Sequence, residues 1–120
     1  CDWSSDVCSS DLGKTLGSTS FTNDGYNLTT SGVSRIGFGS ASDDNSVTFT
    51  GAAAVWTGAN HLSIGYEGSD NTMSVTDGAT ITLDGSGDPA DISLAEKAGS
   101  ADNSLTVSGV ATSLTTDGTI

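Results

Sequence analysis

Three Asp-Asn pairs, Asp44-Asn45, Asp70-Asn71 and Asp102-Asn103, are the first residues in the chain to weigh for chemistry, because each opens a copy of the same stretch. The copies read Asn45-Ser46-Val47-Thr48-Phe49-Thr50, Asn71-Thr72-Met73-Ser74-Val75-Thr76 and Asn103-Ser104-Leu105-Thr106-Val107-Ser108. Stacked in register, Asp44, Asp70 and Asp102 would repel one another. Such a column invites a cation, and calcium, which takes about six to eight oxygen ligands, is the candidate, with Asp43 able to add to the set. The competing role is structural. Asp and Asn hydrogen-bond their own backbone and tolerate the left-handed conformation of a corner, and Asn45, Asn71 and Asn103 could form an inward amide ladder. The corner role is the expectation.

The second candidate is a hydroxyl surface. Thr48 and Thr50, Ser74 and Thr76, and Thr106 and Ser108 alternate with apolar residues and would line one outer face suited to glycans or other surfaces. Threonine also favours outward strand positions for its own sake, being β-branched and polar. Serine replaces threonine too freely for a regular ice-matching lattice. A third candidate, Asp84, Asp88 and Asp91 in a Gly-rich segment, has the composition of a calcium loop but occurs once, and a solvated loop is expected. The lone histidine, His61, stands at a strand start, no serine lies in a nucleophile motif, and Arg35 and Lys97 have no acidic partner by sequence. No catalysis is expected within this chain.

Positioning these residues requires strands. Apolar residues fall two and four places after each asparagine: Val47 and Phe49, Met73 and Val75, Leu105 and Val107. Period two with one apolar face means half-buried strands. A second strand, counted one, three and five residues past the glycine, gives Ala52, Ala54, Trp56; Ala79, Ile81, Leu83; and Val110, Thr112, Leu114. A third gives Leu62, Ile64, Tyr66, then Ile92 and Leu94, with Ile120 opening the next. Leu62 precedes Ile92 by 30 residues, while Ile92 precedes Ile120, and Ile36 precedes Ile64, by 28. A weaker early copy spans 20–28.

Repetition at this period predicts a stacked architecture. The expected fold is all-β: a right-handed parallel β-helix of about four coils, each about 28 residues and three short strands. Val47, Met73 and Leu105 would form one buried column, and Trp56, Leu83 and Leu114 another. A β-sandwich has no reason to repeat every 28 residues. The extra segment 84–91, with the only proline, should protrude at one corner.

The stretches Asp102–Thr112 and Asn71–Ile81, together with Leu62-Ser63-Ile64-Gly65-Tyr66-Glu67-Gly68-Ser69, resemble the repeats of bacterial autotransporter-type passenger domains and related surface adhesins. The resemblance covers residues 20–120. It implies a β-helix and a secreted or cell-surface setting associated with a bacterial outer membrane. It does not single out an activity, since such repeats serve adhesins and protease-bearing passengers alike.

Charge and composition narrow the partners. The chain carries 15 acidic and 3 basic residues, a net charge of −12. It has no electrostatic footprint for phosphate backbones, so nucleic acid is excluded as an expected partner. No apolar run approaches the roughly twenty residues of a membrane span. Residues 1–12 resemble a translated short-read sequencing adapter throughout, and without them the charge is −9 as Asp2, Asp6 and Asp11 go. Both cysteines go as well, leaving no disulfide framework. Residues 13–120 then read as a piece of a longer repeat protein. The expected function is a structural stalk or adhesive repeat segment whose partners are neighbouring repeats. A glycan- or surface-binding module and a calcium-stabilised repeat are the alternatives.

Overall fold

A computed structural model describes residues 20–85 and 89–120 and shows a β-solenoid. The strands are β1 (Ser20–Asn23), β2 (Asn27–Thr30), β3 (Ser34–Ile36), β4 (Ser46–Thr50), β5 (Val55–Gly58), β6 (Leu62–Ile64), β7 (Thr72–Thr76), β8 (Thr80–Leu83), β9 (Ile92–Leu94), β10 (Ser104–Ser108) and β11 (Ser113–Thr116). They form three parallel sheets, β1-β4-β7-β10, β2-β5-β8-β11 and β3-β6-β9. Each coil contributes one strand to each sheet, giving three full coils and two strands of a fourth. The expected solenoid and its three-strand coil are therefore borne out. Among the described residues no strand pairs with its neighbour in sequence, so their sheet hydrogen bonding is between coils.

In the first sheet the expected register holds. Phe21, Val47, Met73 and Leu105 stack in one inward column and Phe49, Val75 and Val107 in the next. Phe49, Met73 and Val75 are fully buried, whereas Val107 in the last coil is 43% exposed. Asn23 occupies the position above Phe49. Its Oδ1 accepts from the backbone N–H groups of Gly25 and Tyr26 at 3.2 and 2.8 Å, and its Nδ2 donates to the Tyr26 carbonyl at 3.0 Å. An amide thus replaces an apolar side chain where it can satisfy a tight corner.

The second sheet corrects the sequence reading. The buried column is Leu28, Trp56, Ile81 and Leu114, and Leu83 pairs instead with Gly58 and Thr116. The cause is corner length. The chain goes from Thr50 to Val55 and from Ser108 to Ser113 with four residues between, but from Thr76 to Thr80 with three. Gly78 also stands one residue further past its strand than Gly51 and Gly109 do, so counting from the glycine slides β8 by two positions, which preserves the face and hides the error. Val110, assigned inward by that count, is 92% exposed, and Ala54 and Ala79 share the buried corner site. Gly58 leaves room that Leu83 fills: a β-carbon there would sit 2.7 Å from Leu83 Cδ2.

Aromatic rings tie the sheets together across the interior. Phe49 and Trp56 stack at 5.5 Å with planes 10° apart, and Phe21 meets Phe49 edge-on at 6.1 Å. Trp56 donates its Nε1–H to Thr30 Oγ1 at 3.0 Å, which in turn accepts from Ser34 Oγ at 3.3 Å. A buried indole needs such a partner.

The third sheet follows the expected spacing, Leu62 pairing with Ile92, Ile36 with Ile64, and Ile64 with Leu94. Ile92 donates its backbone N–H to Thr119, as Leu62 does to Asp91, so Ile120 takes the place of a next third strand, as read. The 84–91 segment falls between β8 and β9, where the two earlier coils have three residues, and residues 86–88 lie outside the description.

Candidate functional site

The Asp-Asn corner is built as a ladder of amides. Asn71 Oδ1 accepts from the backbone N–H and the Nδ2 of Asn45 at 3.0 and 2.8 Å. Asn103 Oδ1 accepts from the same two groups of Asn71 at 2.9 and 3.0 Å. The side-chain donors also turn to loop acceptors: Asn45 to the Ser42 carbonyl, Asn71 to that of Ser69, and Asn103 to Ser100 Oγ and to the Gly68 carbonyl one coil earlier. Asn45 and Asn71 are buried. The inward amide ladder read from the sequence is present.

The aspartates beside it are corner formers. Asp44, Asp70 and Asp102 have φ of 57°, 57° and 54°, the left-handed conformation that Asp and Asn tolerate best among residues with a side chain. All three are exposed. Among the described residues no three His, Cys, Asp or Glu side chains come together in a metal-holding group. Of the loop aspartates, Asp91 is engaged by Thr119 and Asp88 lies outside the described residues.

The hydroxyl surface is real as an arrangement. Thr48, Ser74 and Thr106 form one outward column with Thr22 above them, and Thr50, Thr76 and Ser108 the next. Thr50 Oγ1 donates to Asp77 Oδ2 at 3.1 Å, which ties its hydroxyl to the corner. A column the sequence reading did not single out lies on the second sheet, where Thr29, Thr57, Thr82 and Thr115 stand in register without interruption. Finding it required the true length of each corner.

The third sheet carries a different surface. His61, just before β6, accepts the Asp91 backbone N–H at Nδ1 (2.9 Å), and the Asp91 carboxylate lies 3.9 Å from the same atom. Asp91 Oδ1 accepts from the backbone N–H and hydroxyl of Thr119 at 2.8 and 2.9 Å. Those bonds, helped by the nearby histidine, hold its carboxyl below the usual value of 3.8. Asp117 likewise accepts from the backbone of Gly85 and Ala90. Ser63, His61 and Asp91 share this face, yet Ser63 Oγ has no hydrogen-bond partner, so no nucleophile–base pair is assembled.

Arg35 and Lys97, without an acidic partner by sequence, contact aromatic rings. The Arg35 guanidinium carbon lies 5.1 Å from the Phe38 ring centre and 4.9 Å from that of Tyr66, and Lys97 Nζ lies 5.0 Å from Tyr66. Phe38 and Tyr66 stack at 5.1 Å. The 28-residue offset of Ile36-Gly37-Phe38 and Ile64-Gly65-Tyr66 is the signal that could have placed the rings together. Scans against family models and searches of curated proteins and of solved structures found no match to this chain.

Proposed function

We propose that the chain is a structural repeat segment, a stalk of a secreted or surface-displayed bacterial protein of the autotransporter type, with no catalysis of its own. The observation that supports this is the unbroken coil-to-coil register of the first two sheets through four coils. It gives a stack in which each coil contacts only its neighbours and which can be lengthened without altering its cross-section. The aspartates and hydroxyls sit at corners and outer strand faces, where they keep the surface polar.

The test is reach. One, two and three copies of the chain are placed between a membrane anchor and a reporter epitope on a bacterial surface. Access of a bulky antibody should rise with copy number, and a scrambled chain of equal length should not match it. Equal access for the native and scrambled chains at every copy number would refute the stalk reading.

A second reading, adhesion through the first sheet's outer face, draws support from the in-register hydroxyls of Thr48, Ser74 and Thr106. It calls for saturable binding to a glycan or mineral surface that is lost in a Thr48→Val, Thr106→Val double variant.

A further inference from the structure

The corner that follows the third strand is unequal from coil to coil. Eight residues separate Ile36 from Asn45 and Leu94 from Asn103, but only six separate Ile64 from Asn71. Each longer loop closes a β-turn. The Ser42 N–H donates to the Gly39 carbonyl at 2.9 Å over Ser40-Ala41, and the Ser100 N–H to the Lys97 carbonyl at 3.1 Å over Ala98-Gly99. The short middle loop has no turn at this place. Strands two coils apart are separated by about 9.6 Å, twice the strand spacing, so the missing turn leaves a slot about one chain thick between the outer loops.

That slot is a cleft of about 460 Å³, within the roughly 300–1,000 Å³ of small-molecule sites. Ser40 and Asp43 line it from the first loop, Glu67 and Ser69 from the middle one, and Lys97 and Gly99 from the third. Its opposite charges do not neutralise one another. Among the described residues the one ion-pair distance is that of His61 and Asp91, and neither Asp43 nor Glu67 comes within such reach of Lys97. Asp43 Oδ1 accepts the Ser69 N–H at 2.7 Å, which fixes the carboxylate and leaves Oδ2 for a ligand. Lys97 Nζ rests 5.0 Å from the Tyr66 ring centre and keeps its N–H donors. Glu67 and Lys97 are exposed and Asp43 is half-buried, so a solute in the cleft can reach all three. Two carboxylates and one ammonium call for the inverse set on a ligand, two cations and one carboxylate. A polyamine lacks the anion, and a neutral amino acid lacks the second cation. The chain's net charge of −12 also draws a ligand of net positive charge.

We propose that this cleft binds a free basic α-amino acid, its α-ammonium and side-chain cation meeting Asp43 and Glu67 and its carboxylate meeting Lys97. Arginine and lysine share this chemistry. The inference is independent of both the stalk and the hydroxyl-face readings, since the cleft lies at a corner between loops. Water screens charges at so open a site, and affinity should be weak, on the order of millimolar.

The experiment is a ¹H–¹⁵N NMR titration of the full chain at low salt and neutral pH, with each ligand taken to about 10 mM. The ligands are L-arginine, L-lysine, agmatine (no carboxylate), Nα-acetyl-arginine (no α-cation) and L-norvaline (no side-chain cation). Arginine or lysine should shift the amide signals of Ser40, Ser69 and Gly99 saturably, at least about threefold more tightly than each of the other three, the scale of one exposed ion pair. Lys97→Gln should abolish the preference for arginine over agmatine. Glu67→Gln should weaken arginine at least about threefold and leave agmatine no weaker than arginine is. Both changes are at exposed side chains, and signals away from the cleft should stay in place. Absence of saturable shifts at the cleft with both basic amino acids overturns the proposal. So does agmatine binding the native chain as tightly as arginine, or arginine binding that survives the Glu67 and Lys97 changes.

Discussion

Asn71 sits over Gly37, one coil removed: a β-carbon on Gly37 would lie 2.5 Å from Asn71 Cγ. Asn103 stands in the same relation to Gly65, and both glycines have positive φ, 71° and 74°. The amide ladder and the glycine at the end of the third strand are therefore one device. The asparagine can reach the backbone of the corner only because no side chain occupies the space above it.

Gly37→Ala and Gly65→Ala should each destabilise the solenoid by about 2–5 kcal/mol, combining left-handed strain with displacement of the amide. Gly99→Ala, also at positive φ (97°) but with nothing within 4 Å, should cost only the strain, about 1 kcal/mol. Gly25→Ala, in open space and without positive φ, should be nearly neutral. Urea melts of the four variants check the order, and equal losses at Gly37 and Gly99 would show that the amide contact carries no weight.

Asn71→Ala removes the acceptor used by two donors of Asn45 and leaves a buried backbone N–H unpaired, an expected loss of about 2–4 kcal/mol. Asn71→Asp keeps the acceptors but loses the donors and places a charge in a buried site. Its stability at neutral pH should be at or below that of the alanine variant and should recover in acid as the carboxyl is neutralised. Melting curves at pH 7 and in the carboxylate range distinguish the two effects.

Within the column Leu28, Trp56, Ile81 and Leu114, position along the stack should set the cost of truncation. Ile81 is fully buried between coils, so Ile81→Ala should cost about 2–5 kcal/mol. Leu114, only partly buried in the last coil, should lose less than about 2 kcal/mol on the same change. Denaturant titrations giving equal losses would contradict the observed gradient of packing.

Asp91 should set part of the acid limb of stability. Its carboxyl is held below 3.8 in the fold, chiefly by Thr119 and secondarily by His61. A depressed carboxyl stabilises the fold above its unfolded value, and that contribution disappears as pH falls through the folded value. The difference in melting temperature between the native chain and Asp91→Asn should thus be constant at neutral pH and shrink below pH 3.8. A difference that grows on acidification would reverse the sign.

The sequence by itself determined the coil. Alternating apolar residues after each asparagine define the inward face, and their recurrence near every 28 residues demands that copies stack, because one three-strand coil cannot bury its own face. The Asp-Asn corner was legible for the same reason: left-handed tolerance and amide hydrogen bonding are properties of single residues, and they recur at Asp44, Asp70 and Asp102. What only the tertiary structure decided were the relations that depend on loop length and on reach between coils. One residue fewer between Thr76 and Thr80, with Gly78 one residue later in its corner than Gly51, moved Leu83 onto Gly58 and set Ile81 beneath Trp56, a shift of two from the glycine count that no alternation pattern can detect. Arg35, unpaired by any local signal, found its place over Tyr66 because the ladder brings the next coil within a side chain's length. Periodicity fixes faces, whereas partners across coils are fixed by register, and register is set by the corners.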